Sequence, residues 1–315
     1  MAISAPSPQQ SATDLSTADT PWVVAGPPRG RDLWSRLATW PLVLRAHRDL
    51  VYTSVRRDLQ ARFRGTVLGF AWVLAQPVVT FAIYAFLITE LLGVRLGSDG
   101  STPPATMAVY MFTGTLVWTS VADALTRSTS CVLEQRNLVQ KVRFPAQLLP
   151  LQIGLSTLVT FAMGLVAFVG FTLVSDAWEV PGLALLAWAP VLLLLQLMLT
   201  TGLGLALSAA QVLFRDTQPV VGVLLTVGMF ATPIFWVPST EVLPDIQRWL
   251  PLVEMNPLHH LVYAWRSLLM SSEPDFVFDG SFPESLRIVA SWAFGAFACG
   301  SLLFFRVERH LADEV

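Results

Sequence analysis

The placement of arginine constrains this chain more than any other feature. Arg29, Arg31, Arg36, Arg45, Arg48, Arg56, Arg57, Arg62 and Arg64 all precede the first long apolar stretch. Most of the others fall in every second gap between the apolar stretches that follow. Membrane-spanning chains retain Lys and Arg on the cytoplasmic side, so the alternation fixes both a location and a direction. It describes an integral membrane chain that starts inside the cell. Composition agrees: 54% of residues are hydrophobic and 13% charged, against about 25% charged in soluble domains. One soluble core could not hide that apolar surface, whereas lipid accepts it.

Residues 1–30 are rich in Ser, Thr, Pro and Ala and read as a disordered cytoplasmic tail, not a signal peptide. Residues 31–65 form an interface-helix region. Within it Leu44, Val51, Val55, Leu59 and Phe63 recur at helical spacing, while Arg45, Arg48, Arg56, Arg57, Arg62 and Arg64 occupy other positions. Such a helix lies on the membrane surface with its arginines towards anionic headgroups. The transmembrane domain covers 66–310, with about six spans under the criterion of roughly 20 apolar residues. They are Thr66–Leu92, Pro104–Leu125, Leu148–Val174, Gly182–Phe214, Pro219–Val237 and Leu286–Phe305. The fourth is long enough to tilt or to kink at Pro190. Gly154, Gly164 and Gly170 suit the third to close helix contact. The fold class is all-α and polytopic, with both termini cytoplasmic.

Pro238–Ser285 is too apolar for a solvated loop, yet Pro251 and Pro257 break it and leave Leu258–Met270 shorter than a span. Counting it as a span would put Arg306 and Arg309 outside. The segment is read as a re-entrant pair of short helices. Broken backbone at that depth needs protein or a water-filled cavity around it, which points to a pathway.

Several chemistries are missing from the sequence. Lys141 is the sole lysine and stands in Val139-Gln140-Lys141-Val142, so there is no glycine-rich phosphate loop. His259 and His260 are adjacent and point to different helix faces, which does not suit a shared metal. Cys131 and Cys299 read as small apolar helix residues. Asp123, near the cytoplasmic end of the second span, reads as a solvated helix end more than a proton carrier. A transporter of this composition needs energy from a partner chain.

Four segments carry a resemblance. Arg56-Arg57-Asp58-Leu59-Gln60-Ala61-Arg62-Phe63-Arg64-Gly65-Thr66-Val67-Leu68-Gly69 resembles the opening of permeases of the ABC-2 polysaccharide-export family, which handle O-antigen, capsule and teichoic acid polymers. Asn137-Leu138-Val139-Gln140-Lys141-Val142-Arg143-Phe144-Pro145 looks like that family's loop between spans two and three. Phe214-Arg215-Asp216 and Asn256-Pro257-Leu258 match further signatures. The similarity covers roughly Leu42 to His310, with Phe63 where tyrosine is common and Thr66 where serine is.

The resemblance implies a homodimer that pairs with two copies of an ATPase and encloses a passage for a lipid-linked glycan in the bacterial inner membrane. ATP and magnesium would then sit on the ATPase, with no cofactor and no nucleic acid on this chain. Coupling to the ATPase would fall to Glu134, Gln135, Arg136, Asn137, Leu138, Val139, Lys141, Phe144 and Pro145, with Arg215 and Asp216 as a second contact. Aromatic rings stack on sugar faces, so Trp72, Tyr84, Tyr110, Phe112, Trp118, Phe230, Phe235 and Trp236 are the candidate substrate path; Trp and Tyr also form interfacial belts. The other readings are an ABC-2 exporter of drugs or small lipids, a membrane glycosyl- or acyltransferase using His259, His260, Glu254 and Asp245, and a secondary transporter.

Overall fold

Within lipid, each N–H and C=O must be bonded inside its own segment, so apolar runs of this length become helices. The computed structural model describes residues 35–65, 69–87, 104–135, 145–174, 181–238, 244–270 and 281–314. The early tail lies outside these residues, as does much of the loop after the second span. The helices are α1 Trp40–Ala46, α2 Arg48–Phe63, α3 Trp72–Phe86, α4 Pro104–Glu134, α5 Leu148–Val174, α6 Ala184–Leu213, α7 Thr217–Ala231, α8 Leu250–Glu254, α9 Pro257–Leu269 and α10 Phe282–Glu314. No strand occurs among the described residues.

Helices α4, α6 and α10 run in one direction and α3, α5 and α7 return in the other. The end where α4 finishes and α5 begins is called basal here, and the opposite end distal. Two apolar clusters hold the bundle. The distal one joins Tyr110 and Phe112 of α4, Phe161 and Phe168 of α5, Leu192 and Leu199 of α6 and Trp265 of α9. The basal one joins Trp40 and Val51 of the first two helices to Val132, Leu149, Leu205, Phe304 and Phe305.

The third, fourth and sixth expected spans appear as α5, α6 and α10; Leu148–Leu173, Ala184–Leu213 and Phe282–Glu308 are each long and apolar enough to cross a bilayer. Pro190 is accommodated inside α6, which continues through it. The second span is longer than expected, because α4 runs on to Glu134. The fifth is shorter. Helix α7 stops at Ala231, two residues before Pro233, and its 15 residues reach about 22 Å against a hydrocarbon thickness of about 30 Å. Residues 232–238 then bend away, so Phe235 and Trp236 lie beyond the helix that the sequence pattern gave them.

The interface region is two helices, not one. The chain breaks at His47 (φ −112°, ψ 17°) between α1 and α2. Helix α2 ends at Phe63, and the turn that follows contains Gly65, whose φ of +79° is the left-handed value that favours glycine.

Small residues set the closest crossing. A Cβ on Gly300 of α10 would collide with the backbone carbonyl of Gly202 on α6, and one on Gly202 with the backbone of Ala296 and Phe297. Backbones this close need glycine on both sides, the usual device where apolar packing cannot distinguish lipid from protein. On α5, Gly154 meets Leu197 and Thr201, and Gly164 meets Leu116, whereas Gly170 faces open space. Gly300→Val is expected to cost at least about 1–3 kcal/mol by overpacking. Gly170→Val should leave the melting temperature of the purified protein unchanged, which makes thermal unfolding in detergent the check.

Candidate functional site

Among the described residues, one charged feature towards each end stands out in the apolar bundle. The basal one begins on α2, where the i,i+4 spacing of Asp58 and Arg62 places both on the face turned to α4. Helix α4 answers with Asp123 and Arg127, again four apart. Arg62 Nη2 donates to Asp123 Oδ2 at 2.7 Å and stands 3.6 Å from Asp58. Arg127 donates to Asp58 and lies 3.8 Å from Asp123. The quartet balances two acids against two guanidiniums. It also alters two expectations: Arg62 turns inward to Asp123 instead of towards headgroups, and Asp123 is paired, not simply solvated.

Above the quartet is a cavity of about 350 Å³ between α3, α4 and α5. Arg62 and Asp123 lie at one end, and Gln76, Thr80, Thr115, Thr119, Ser120, Thr157 and Thr160 supply polar walls beside Phe112 and Phe161. Several hydroxyls are already committed. Thr119 donates to the Thr115 carbonyl (2.8 Å), Thr157 to Gly154 (2.9 Å) and Thr160 to Ser156 (3.2 Å). With their protons directed at their own helices, these oxygens present lone pairs to the cavity. Such a wall accepts hydrogen bonds from a hydroxylated ligand and gives rings on which a sugar face can slide. Polar and ionisable groups are rare within membrane-spanning helices, which makes this cluster a candidate functional site.

The distal feature answers the break after α7. When α7 stops at Ala231, the carbonyls of Pro233 and Ile234 leave the helix ladder among apolar neighbours. Arg266 of α9 is fully buried and reaches them: Nη1 donates to Pro233 O (2.6 Å), Nη2 to Ile234 O (3.3 Å) and to Tyr110 O (2.9 Å), and Nε to Tyr110 O (3.2 Å). Its guanidinium carbon lies 3.4 Å from the centre of the Tyr110 ring. The Tyr110 hydroxyl completes the arrangement by donating to Pro233 O (3.1 Å) and Trp236 O (3.0 Å). Gly114 is the clearance: a Cβ there would strike Arg266 Nη2.

Helix α9 is otherwise fixed by local caps. Asn256 accepts from the Leu258 amide (3.0 Å) and donates to Thr232 Oγ1 (2.9 Å), with Pro257 at the first helical position. His260 Nε2 donates to the Glu254 carbonyl (2.7 Å), which leaves Nδ1 to accept from Ser285 Oγ (3.2 Å). The Trp265 indole donates to Gln196 Oε1 (3.0 Å), and Gln196 donates on to Ser120 (3.0 Å). Within the segment read as re-entrant, the described residues hold the buried helix α9 preceded by the single turn of α8.

The expected substrate-path rings do not share one environment. Phe112 borders the basal cavity and stacks on Phe168 (5.6 Å between centroids). Tyr110 and Trp118 are buried, Tyr110 under Arg266 and Trp118 against Gly228. Tyr84 reaches Thr115 (3.3 Å) and packs edge-on with Phe235 (6.4 Å), which meets Phe230 (6.2 Å). Trp236 donates back to the Phe230 carbonyl (2.9 Å), and Trp72 and Phe230 are exposed. Of the coupling residues, Glu134, Gln135 and Pro145 flank the loop at the basal end. Arg136, Asn137, Leu138, Val139, Lys141 and Phe144 lie outside the described residues. Arg215 and Asp216 are exposed in the basal turn between α6 and α7, with Gln211 donating to the Arg215 carbonyl (3.2 Å). Glu134 and Arg215 therefore lie at the same end of the bundle.

Sequence reasoning did not single out Arg266 and did not identify the quartet, Gln196 or the hydroxyl wall. The i,i+4 acid–arginine spacings were visible, but not that they face one another. No cluster of three His, Cys, Asp or Glu side chains suited to a metal occurs among the described residues.

An all-helical bundle with a short buried helix folded back among its spans, and a polar cleft within it, defines a membrane permease. The chain belongs to the ABC-2 type transporter family, which it matches over residues 49–270. It is similar to the O-antigen export system permease protein RfbA of Myxococcus xanthus, with 31% identity over 222 residues, 70% of this chain and 80% of the relative. A permease of the same designation from Klebsiella pneumoniae is 24% identical over 223 residues, 71% of this chain and 81% of that protein. The chain is the membrane subunit of an ABC transporter.

Two outcomes test the geometry. Arg62→Ala and Asp123→Ala should show a coupling of about 1 kcal/mol in a double-mutant cycle on thermal stability, smaller at high salt because the pair is partly exposed; additive losses would mean the pair is not coupled. Arg266→Met should cost about 3 kcal/mol or more by leaving buried carbonyls unpaired. Arg266→Lys should recover only part of that, since an ammonium lacks the fork, and the melting temperatures of the two purified variants decide it.

Proposed function

We propose that this chain is the permease of an exporter that moves a lipid-linked polysaccharide of the O-antigen type across the bacterial inner membrane. Two copies form the passage, and two copies of a separate ATPase drive it. The observation that carries this reading is the 31% identity to the M. xanthus O-antigen export permease across four fifths of that protein. The cleft is chemically apt, since its walls pair hydroxyl acceptors with Phe112 and Phe161. Teichoic acid and capsule polymers share that chemistry, and the O-antigen class is preferred on the relatives alone.

The orientation follows from the sorted charges. The arginines of α1 and α2, with Arg127, Arg215 and Arg306, gather at the basal end, which supports placing that end and both termini in the cytoplasm. The 136–144 loop and the Arg215–Asp216 turn would then present themselves together to the ATPase, as the transmission of its closure requires.

In a clean deletion, lipid-linked polymer should accumulate inside the cell while surface O-antigen disappears, and the wild-type gene on a plasmid should restore it. Normal surface polymer in the deletion would reject the reading. Unchanged polymer with an altered drug or small-lipid efflux profile would move the chain to another branch of ABC-2 exporters.

A further inference from the structure

On the side of α2 turned away from the charge quartet lies a second groove, of about 870 Å³, closed on one wall by α5. Its volume is within the range of about 300–1,000 Å³ usual for small-molecule sites. Four of its residues are successive i,i+4 neighbours: Tyr52, Arg56, Gln60 and Arg64 form one stripe along the helix. Val55 and Leu59 of α2 and Val159 of α5 form an apolar floor beside the stripe. No carboxylate lines the groove among the described residues. The acid nearest along the helix, Asp58, is turned to Arg127 and Arg62 on the other face. None of the ion pairs among the described residues involves Arg56 or Arg64.

Two guanidiniums with no counter-ion among the described residues, above an apolar floor, match one chemistry: a phosphate attached to hydrocarbon. From these residues we infer that the groove is a discrete site for one anionic phospholipid of the adjacent leaflet. The phosphate lies over Gln60, between Arg56 and Arg64, and an acyl chain lies along Val55, Leu59 and Val159. Arg56 and Arg64 are eight residues apart, about 12 Å along the axis, so each guanidinium covers half of that distance and the amide of Gln60 supplies a donor at the midpoint. The site separates the arginines of α2 by role. Arg62 is committed to Asp123, Arg57 is exposed outside the groove, and only Arg56 and Arg64 hold the lipid. A lipid seated there would brace α2 against α5 and so steady the quartet on its opposite face.

Binding of headgroup-labelled phosphatidylglycerol to the full-length chain in phosphatidylcholine nanodiscs tests this. The wild-type protein should bind it saturably. Each arginine near a membrane surface contributes about fivefold, so Arg56→Gln with Arg64→Gln should weaken binding roughly thirtyfold. Arg57→Gln should leave it unchanged, and Val159→Trp should weaken it by filling the floor without altering charge. Equal losses for Arg57→Gln would reduce the effect to diffuse attraction and overturn the site. So would full binding in Val159→Trp, which would mean that no acyl chain lies there. Displacement by inorganic phosphate, or by an isoprenyl diphosphate in preference to unlabelled phosphatidylglycerol, would also overturn it, the second by making the groove a port for the transported lipid.

Discussion

A chain that folds back among apolar helices leaves carbonyls with no water to take them, and the distal half of this protein depends on the guanidinium that meets that need. Arg266 bonds three carbonyls from two segments, the start of α4 and the break after α7. Five donors in a rigid plane suit this task as no ammonium could. A buried cation without a carboxylate is ordinarily expensive. Here the carbonyl dipoles and the face of Tyr110 stabilise it, and the carbonyls of Pro233 and Ile234 need such a donor because the helix has been broken. Each irregularity satisfies the other.

The basal half is organised differently. Its charges are paired side chain to side chain at partial exposure, where each bridge contributes little alone. What they provide is register. The i,i+4 pairs on α2 and α4 fit together in one alignment, which holds the interface helix at the mouth of the hydroxyl-lined cavity. The same helix turns Arg56 and Arg64 to the opposite side, so a single turn pattern separates internal pairing from contact with lipid.

Much of the architecture was legible in the sequence, for physical reasons. Lipid imposes a length on apolar runs, so α5 matched its expected bounds and α6 came within two residues at its start. Proline placement signalled that Leu258–Met270 would not span. The failures have equally definite causes. The end of α7 was misplaced because apolar residues continue to Val237, and hydropathy does not register that Pro233 withdraws an amide. Arg62 and Asp123 were read singly because helical spacing gives faces, not which face meets which. Arg266 was not singled out, since composition cannot distinguish a cation in water from one wrapped in carbonyls. The aromatic candidates divided between packing and exposure for the same reason.

The crossing of α6 over α10 at Gly202 and Gly300 has a mechanical corollary. Two backbones in van der Waals contact, with no side chains between them to repack, cannot slide or roll without collision. The pair is a rigid keel. Helix α3 leans on α4 and α5, and α7 mainly on α4, each through side chains that can change rotamer. Rotamer changes can therefore loosen those two short helices without disturbing the keel.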